Sequence, residues 1–210
     1  MSLLIPSTTF KPFQYPWAME YATEHEKIHW GEWELNLQDD VNDWKMGKVT
    51  EAEKNHVTQI LRLFTQSDVA VADNYVELFI PKFKNNEIRN MLLSFANREG
   101  LHQRAYALLN DTLGFPDSEY QAFLEYTQMT NKIEFMTDAD TSSLSGLGKA
   151  VARSAINEGM SLFSAFIMLL NYQRFGKFKG MCEVVEWSIR DETMHVEGMT
   201  KLFRTFCEEH

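Results

Sequence analysis

On an α-helix, residues three apart share a face, so Glu-x-x-His presents a carboxylate and an imidazole to one point, as a metal ion requires. With 30 acidic residues and six histidines in 210, roughly one such pair is expected by chance, given only that i and i+3 are neighbours. This chain has four: Glu26/His29, Glu53/His56, Glu99/His102 and Glu192/His195. The first two lie in the charged stretches EHEKIH and EAEKNH, where a solvated Glu beside an ordinary His is the simpler reading, and they are set aside. The other two lie in apolar surroundings. Met91, Leu92, Leu93 and Phe95 precede one, and Val184, Val185, Trp187 and Ile189 precede the other.

Each retained pair has a carboxylate upstream. Asp68 lies 31 residues before Glu99, and the midpoint of that interval falls in the Pro81 to Asn86 break. Two antiparallel helical arms of equal length, each roughly 20 Å at about 1.5 Å per residue, bring Asp68 level with Glu99. Glu158 stands 34 residues before Glu192, and the midpoint, Phe175, adjoins the Gly176 to Gly180 turn. Two helical hairpins therefore deliver one carboxylate and one Glu-x-x-His each. That is the ligand pattern of ferritin-like di-iron and di-manganese bundles.

The charge balance agrees. Four carboxylates and two neutral imidazoles carry about −4, which two divalent cations cancel; without cations the buried acids would take up protons or bear a large desolvation cost. Oxygen and imidazole donors with no thiolate suit iron or manganese better than structural zinc. Tyr106 follows His102 by four residues and Glu99 by seven, so it shares their face. A phenol there can be oxidised, although a core tyrosine that only hydrogen-bonds is the commoner case.

The elements that must hold these residues read as all-α. Residues 1–17 contain three of the five prolines and no helical period, which predicts an extended arm, followed by a short helix from Ala18 to about His29. Trp30 to Trp44 reads as a connector packed by its aromatic side chains. Thr50 and Glu53 form a capping-box pattern, and Val57, Ile60, Leu61 and Phe64 recur at helical spacing, predicting a helix that runs to about Phe79. A second long helix is expected over Glu87–Leu109, and another over Asp117–Met136. Thr137 to Gly148 is the expected loop, before two long helices that flank the Gly176 to Gly180 break. No alternating strand pattern and no solenoid-length repeat is found. The expected organisation is one domain over 1–210, with an arm and short helix at 1–46 and a four-helix di-metal bundle at 47–210.

A net charge of −10 and a pI near 5.1 weigh against nucleic-acid or anionic-membrane partners. The two cysteines, Cys182 and Cys207, have no CxxC or finger spacing, which fits a reducing, cytoplasmic setting. The start carries no basic segment followed by an apolar one, and the most apolar run, Met160 to Leu170, is too short to span a bilayer.

The stretches SDVAVADNY, REGLHQRAY, NEGMSLFSAF and RDETMH, with IHWGEWELNLQDDVNDW near the start, resemble the small subunit of class I ribonucleotide reductase over nearly the whole chain. The resemblance implies that Asp68, Glu99 and His102 bind one metal and Glu158, Glu192 and His195 the other, with two irons as the cofactor and manganese, alone or mixed with iron, as alternatives. It implies that Tyr106 is oxidised to a radical that a separate large subunit uses to reduce ribonucleotides to deoxyribonucleotides for DNA replication. It also implies a homodimer, and a relay outward through His102, Asp191 and Trp30, where aromatic packing is an equal reading of Trp30. Leu162 and Phe166 would line the pocket and keep water from the radical.

Family members continue past the last His ligand to a tail that docks on the large subunit. The final helix here stops at Cys207-Glu208-Glu209-His210 with no Gly or Pro and with acids where the helix dipole favours bases, so a shortened chain, inactive without that tail and the large subunit, is expected. The rival readings are a ligand-binding di-metal oxidase or hydroxylase of the same fold, which an Asp as the first ligand disfavours, and a metal-binding or storage protein without turnover.

Overall fold

The computed structural model describes residues 2–210, save the side chain of Phe123; Met1 of the expected arm lies outside them. Among the described residues there is no strand, and the chain is all-helical. Among the described residues eight α-helices carry the fold: α1 Pro16–Lys27, α2 Gln38–Lys45, α3 Glu51–Asp73, α4 Asn86–Leu113, α5 Thr127–Thr137, α6 Leu144–Ile156, α7 Phe163–Leu170 and α8 Lys179–Glu209. Four long rods form the bundle, with α3 against α4 and α6 against α8.

Two of those rods contain a π-helical turn. Asn74–Phe79 continues α3, closed by the Ile80 N–H on the Tyr75 carbonyl at 2.9 Å, and Asn157–Leu162 joins α6 to α7. Such turns are rare in helices and concentrate at functional sites. Here one follows Asp68 and the other contains Glu158.

The ends of the rods are chemically specified. The Thr50 hydroxyl accepts the Glu53 N–H, while Glu53 Oε2 takes the Thr50 N–H at 2.8 Å. Lys177 and these Thr50 contacts hold the Glu53 carboxyl down at about 2. The expected cost of Thr50→Ala is about 1 kcal/mol of stability in urea unfolding. Because the folded-state pKa of Glu53 is depressed, its contribution is present above the unfolded value and is lost as pH falls toward about 2. The start of α8 is held from α2: Asp40 accepts the N–H groups of Gly180 and Met181, both at 2.8 Å, and Asp43 accepts that of Phe178. Acid at a helix N-terminus satisfies free donors and meets the favourable end of the dipole.

The connections depart from expectation in three places. Residues 30–44 contain a short 3-10 turn, Glu32–Glu34, and helix α2, because Asp40 and Asp43 are needed as caps on α8. The helix expected over Asp117–Met136 is divided into 3-10 turns at Asp117–Tyr120 and Ala122–Glu125 and then α5, with Glu119 turned to pair with Arg62 at 2.5 Å. The loop expected to reach Gly148 ends at Ser143, whose hydroxyl accepts the Gly146 N–H and starts α6. The N-terminal arm is anchored rather than merely laid on the surface: Leu3 is fully buried and its N–H donates to Glu209 at the end of α8.

Candidate metal centre

Two apolar clusters fill the bundle. One holds Phe64, Tyr106, Leu162, Phe166 and Trp30; the other holds Tyr75, Met91, Phe95 and Phe206. Between them lies a polar knot. The His102 ring stacks on Trp30 of the first cluster, the His195 ring lies against Phe95 of the second, and the two imidazoles are 6.4 Å apart. Gly198 permits this: a Cβ there would stand 2.8 Å from the Phe95 ring, so α8 can approach α4 closely only without one.

The three rods α3, α4 and α8, with the π turn at Asn157–Leu162, bring six side chains together, all at most 2% exposed: Asp68, Glu99, His102, Glu158, Glu192 and His195. Ligating atoms of Glu99, Glu158, Glu192 and His195 all lie within 4.8 Å of one another. His102 joins through Nδ1, 3.3 Å from Glu192 Oε1 and 3.6 Å from Glu99 Oε2. His195 Nδ1 stands 2.9 Å from Glu99 Oε1, 3.3 Å from Glu158 and 3.4 Å from Glu192 Oε2. Glu99 and Glu192 thus each present one oxygen to each imidazole, a detail that residue spacing alone does not reveal. Asp68 stands outside the tightest group, but Glu99 and Glu192 act on its carboxyl with the same sign of charge and both imidazoles with the opposite one.

Whether these residues suit cations can be decided from their unmet valence. Asp68 Oδ2, both oxygens of Glu99 and of Glu192, and His195 Nδ1 are buried and make no hydrogen bond. Buried carboxylate oxygens are ordinarily paired, because leaving one unpaired costs several kcal/mol in order of magnitude. Burial pushes Asp68 and Glu158 up, while at Glu99 the two imidazoles overcome burial and hold it at about 2. At His102 and His195 burial opposes the imidazolium, and the surrounding acids outweigh it and push both pKa values well up. The pocket draws positive charge to itself. Buried oxygen and nitrogen donors that converge with no hydrogen-bond partner fit two divalent cations.

The outer contacts fix the rings. His102 Nε2 is 3.0 Å from Asp191 Oδ2, which also accepts the Trp30 Nε1–H at 2.7 Å, and Arg98 donates to Asp191 Oδ1 at 2.7 Å. Asp191, though buried, is held well below the usual carboxylate range by His102, Arg98 and Trp30. The Tyr106 hydroxyl donates to Ser188 Oγ at 3.1 Å, and its ring lies parallel to Phe64 at 5.1 Å. Phe64 in turn stacks on Phe166, and Leu162 packs in the same cluster.

Several groups at the site were not singled out from the sequence. Tyr75 donates its hydroxyl to Glu158 Oε2 at 2.8 Å, and the Ser154 hydroxyl donates to Glu158 Oε1 at 2.7 Å. Tyr75 lies seven residues after Asp68, the same spacing that drew attention to Tyr106, so a signal was present. His25, fully buried, lies 3.2 Å from His195 through their Nε2 atoms. Burial, with His195 and Arg98, depresses His25 to about 2, so it is neutral. Neither discarded pair forms a site: Glu26 and His29 are exposed, and His56 bonds the Tyr172 hydroxyl.

The model of the ribonucleotide reductase small chain matches residues 7–210. A probable ribonucleoside-diphosphate reductase small subunit of Invertebrate iridescent virus 3 is 42% identical over the whole of this chain and 60% of its own length. The chain spans about three fifths of the length of the curated relatives it matches. Among solved structures, a putative class I ribonucleotide reductase from Bacillus halodurans superposes with a TM-score of 0.86 at 19% identity, over 92% of this chain and 71% of the other. The dimanganese(II) NrdF of Streptococcus sanguinis does so with a TM-score of 0.85 at 17% identity, over 98% of this chain and 72% of the other. At those identities the two structures establish the ferritin-like fold.

Proposed function

The chain belongs to the ribonucleotide reductase small-chain family, and from that premise we propose that its buried carboxylate and imidazole cluster holds two cations that generate a radical on Tyr106. The observation that carries the reading is the convergence of both imidazole Nδ1 atoms on Glu99 and Glu192, whose oxygens have no other partner. Asp68 completes the first position beside His102, and Glu158, oriented by Tyr75 and Ser154, the second beside His195. When bound, the cations supply the oxidising power, drawn from dioxygen, that takes an electron from a nearby phenol. Iron or manganese is the metal, the latter being what the Streptococcus sanguinis relative holds.

The chain's own residues set the terms of that oxidation. Burial, then Asp68, pushes the Tyr106 phenol well above its ordinary pKa, which disfavours oxidation by way of a phenolate. Its O–H donates to Ser188 Oγ, whose own hydroxyl donates to the Val184 carbonyl. Phe64, Leu162 and Phe166 wall the phenol with apolar surface and exclude water. His102, Asp191 and Trp30 form an unbroken hydrogen-bonded line away from the site, and Trp30 meets the half-buried Trp187 at 5.1 Å; this line is the proposed relay. The proposed partner is the family's large subunit, which would reduce ribonucleoside diphosphates, and the proposed assembly is a homodimer built on the bundle of residues 47–210. Among the described residues no helix is long and apolar enough to cross a membrane.

Loading the apoprotein anaerobically with ferrous iron and then admitting oxygen should give a tyrosyl signal in the electron paramagnetic resonance spectrum. The Tyr106→Phe variant should keep its metal and lose that signal. A wild-type spectrum without a tyrosyl radical, under both iron and manganese loading, counts against the reading, as does a signal that persists in Tyr106→Phe.

A further inference from the structure

The two imidazoles of the site are held by different chemistry. His102 leans on a carboxylate, Asp191, itself paired with Arg98. His195 leans on a neutral ring, His25. Beyond His25 the contacts continue outward: His25 Nδ1 is 2.8 Å from Ser94 Oγ, and the Ser94 hydroxyl donates to the exposed Glu26 carboxylate at 2.8 Å.

Proton bookkeeping gives this line a single direction once a cation is bound. A cation on His195 Nδ1 needs that lone pair, so the ring proton sits on Nε2 and points at His25. His25 Nε2 must then accept, which leaves the His25 proton on Nδ1, facing Ser94 Oγ. Ser94 accepts it and spends its own hydrogen on Glu26, which only accepts. The reverse direction puts a proton on His195 Nδ1, 2.9 Å from Glu99 Oε1, and that tautomer cannot bind a metal.

We infer that His25 is a positioning residue for the cation beside His195: by accepting the Nε2–H of that ring and passing the hydrogen bond through Ser94 to Glu26, it selects the metal-binding tautomer. The inference rests on the two-cation reading above and deepens it. Partners that orient a ligating imidazole are worth about 10- to 100-fold in metal affinity. His25 touches only one of the two imidazoles through a hydrogen bond, so its loss should weaken one cation and spare the other.

The test titrates the apoprotein with manganese(II), reading the free ion by its electron paramagnetic resonance signal, in wild type, His25→Phe, His25→Gln and Ser94→Ala. Wild type should bind two equivalents. His25→Phe keeps a flat ring but no acceptor, and should weaken one equivalent about 10- to 100-fold while the other keeps its affinity. His25→Gln can accept from His195 with its amide oxygen and donate to Ser94 with its amide nitrogen, so it should restore that equivalent. Ser94→Ala, at a half-buried position that tolerates truncation, should weaken the same equivalent by a smaller factor. Equal weakening of both equivalents in His25→Phe, or a Gln variant no better than Phe, indicates a merely structural role and overturns the inference. Should His25→Phe fail to fold, an unchanged titration in Ser94→Ala overturns it instead. Wild type binding two ions with every variant unaltered sinks this inference alone, whereas wild type binding none sinks the two-cation reading with it.

Discussion

Glu192→Ala is expected to abolish tight binding of both cations, and with them any Tyr106 radical, rather than to remove one metal of two. Its two oxygens face different imidazoles, Oε1 toward His102 Nδ1 at 3.3 Å and Oε2 toward His195 Nδ1 at 3.4 Å. Removing it deprives each cation of a charged donor and also takes away the anion that screens the two cations from each other. Asp68→Ala and Glu158→Ala, at the outer edges of the knot, should each release about one equivalent. The comparison is made by counting metal retained after gel filtration and by thermal unfolding with saturating manganese(II). Occupancy at 100 times the dissociation constant stabilises by about 2.7 kcal/mol per site, so the Glu192 variant should lose the whole metal-dependent rise in Tm. One equivalent retained at wild-type affinity would mean that Glu192 is a terminal ligand of a single cation and that the bridging geometry is wrong.

Glu99 and Glu192 each face both imidazoles, which helical spacing does not state. The interval midpoints bring Asp68 toward Glu99 and Glu158 toward Glu192 because the rods are long and joined by short turns. Helical spacing states which face a residue occupies, and nothing about which oxygen meets which nitrogen. Spacing and the family resemblance go as far as assigning Glu99 to one metal and Glu192 to the other. The π turns at Asn74–Phe79 and Asn157–Leu162 were invisible because their residues have ordinary helix propensities, and the wider turn is imposed by packing. His25 was hidden for a different reason. EHEKIH reads as a solvated charged face, and only the tertiary approach of α4 and α8 buries one of its residues against Ser94, Phe95 and His195. Arg98 escaped because an arginine is rarely buried, and its partner Asp191 lies 93 residues away.

The Arg98 and Asp191 pair yields the second large effect. Asp191→Ala should destabilise the protein by about 3–5 kcal/mol, the usual cost of leaving the other member of a buried ion pair without its countercharge. Asp191 Oδ1 accepts from Arg98, and Oδ2 accepts from Trp30 Nε1–H and pairs with His102 Nε2, so truncation takes one acceptor from three buried donors, the guanidinium among them. Asp191→Asn is not a mild substitute. Whichever way the amide is turned, its NH2 group faces either the guanidinium or the indole and imidazole N–H groups, and donor meets donor. Arg98→Met alone leaves Asp191 its Trp30 and His102 donors and should cost less than Asp191→Ala. The combined Arg98→Met, Asp191→Leu variant removes both charges and should recover much of the lost stability, because an apolar pair of similar volume carries no desolvation penalty. Urea unfolding of wild type, Arg98→Met, Asp191→Leu and the double variant closes this cycle, and additive losses in the double variant would show that the ion pair is not the source of the cost. Metal binding should separate from stability in the same double variant: His102 loses the acceptor on Nε2 that fixes its tautomer, so the cation beside it should weaken even where the fold has been restored.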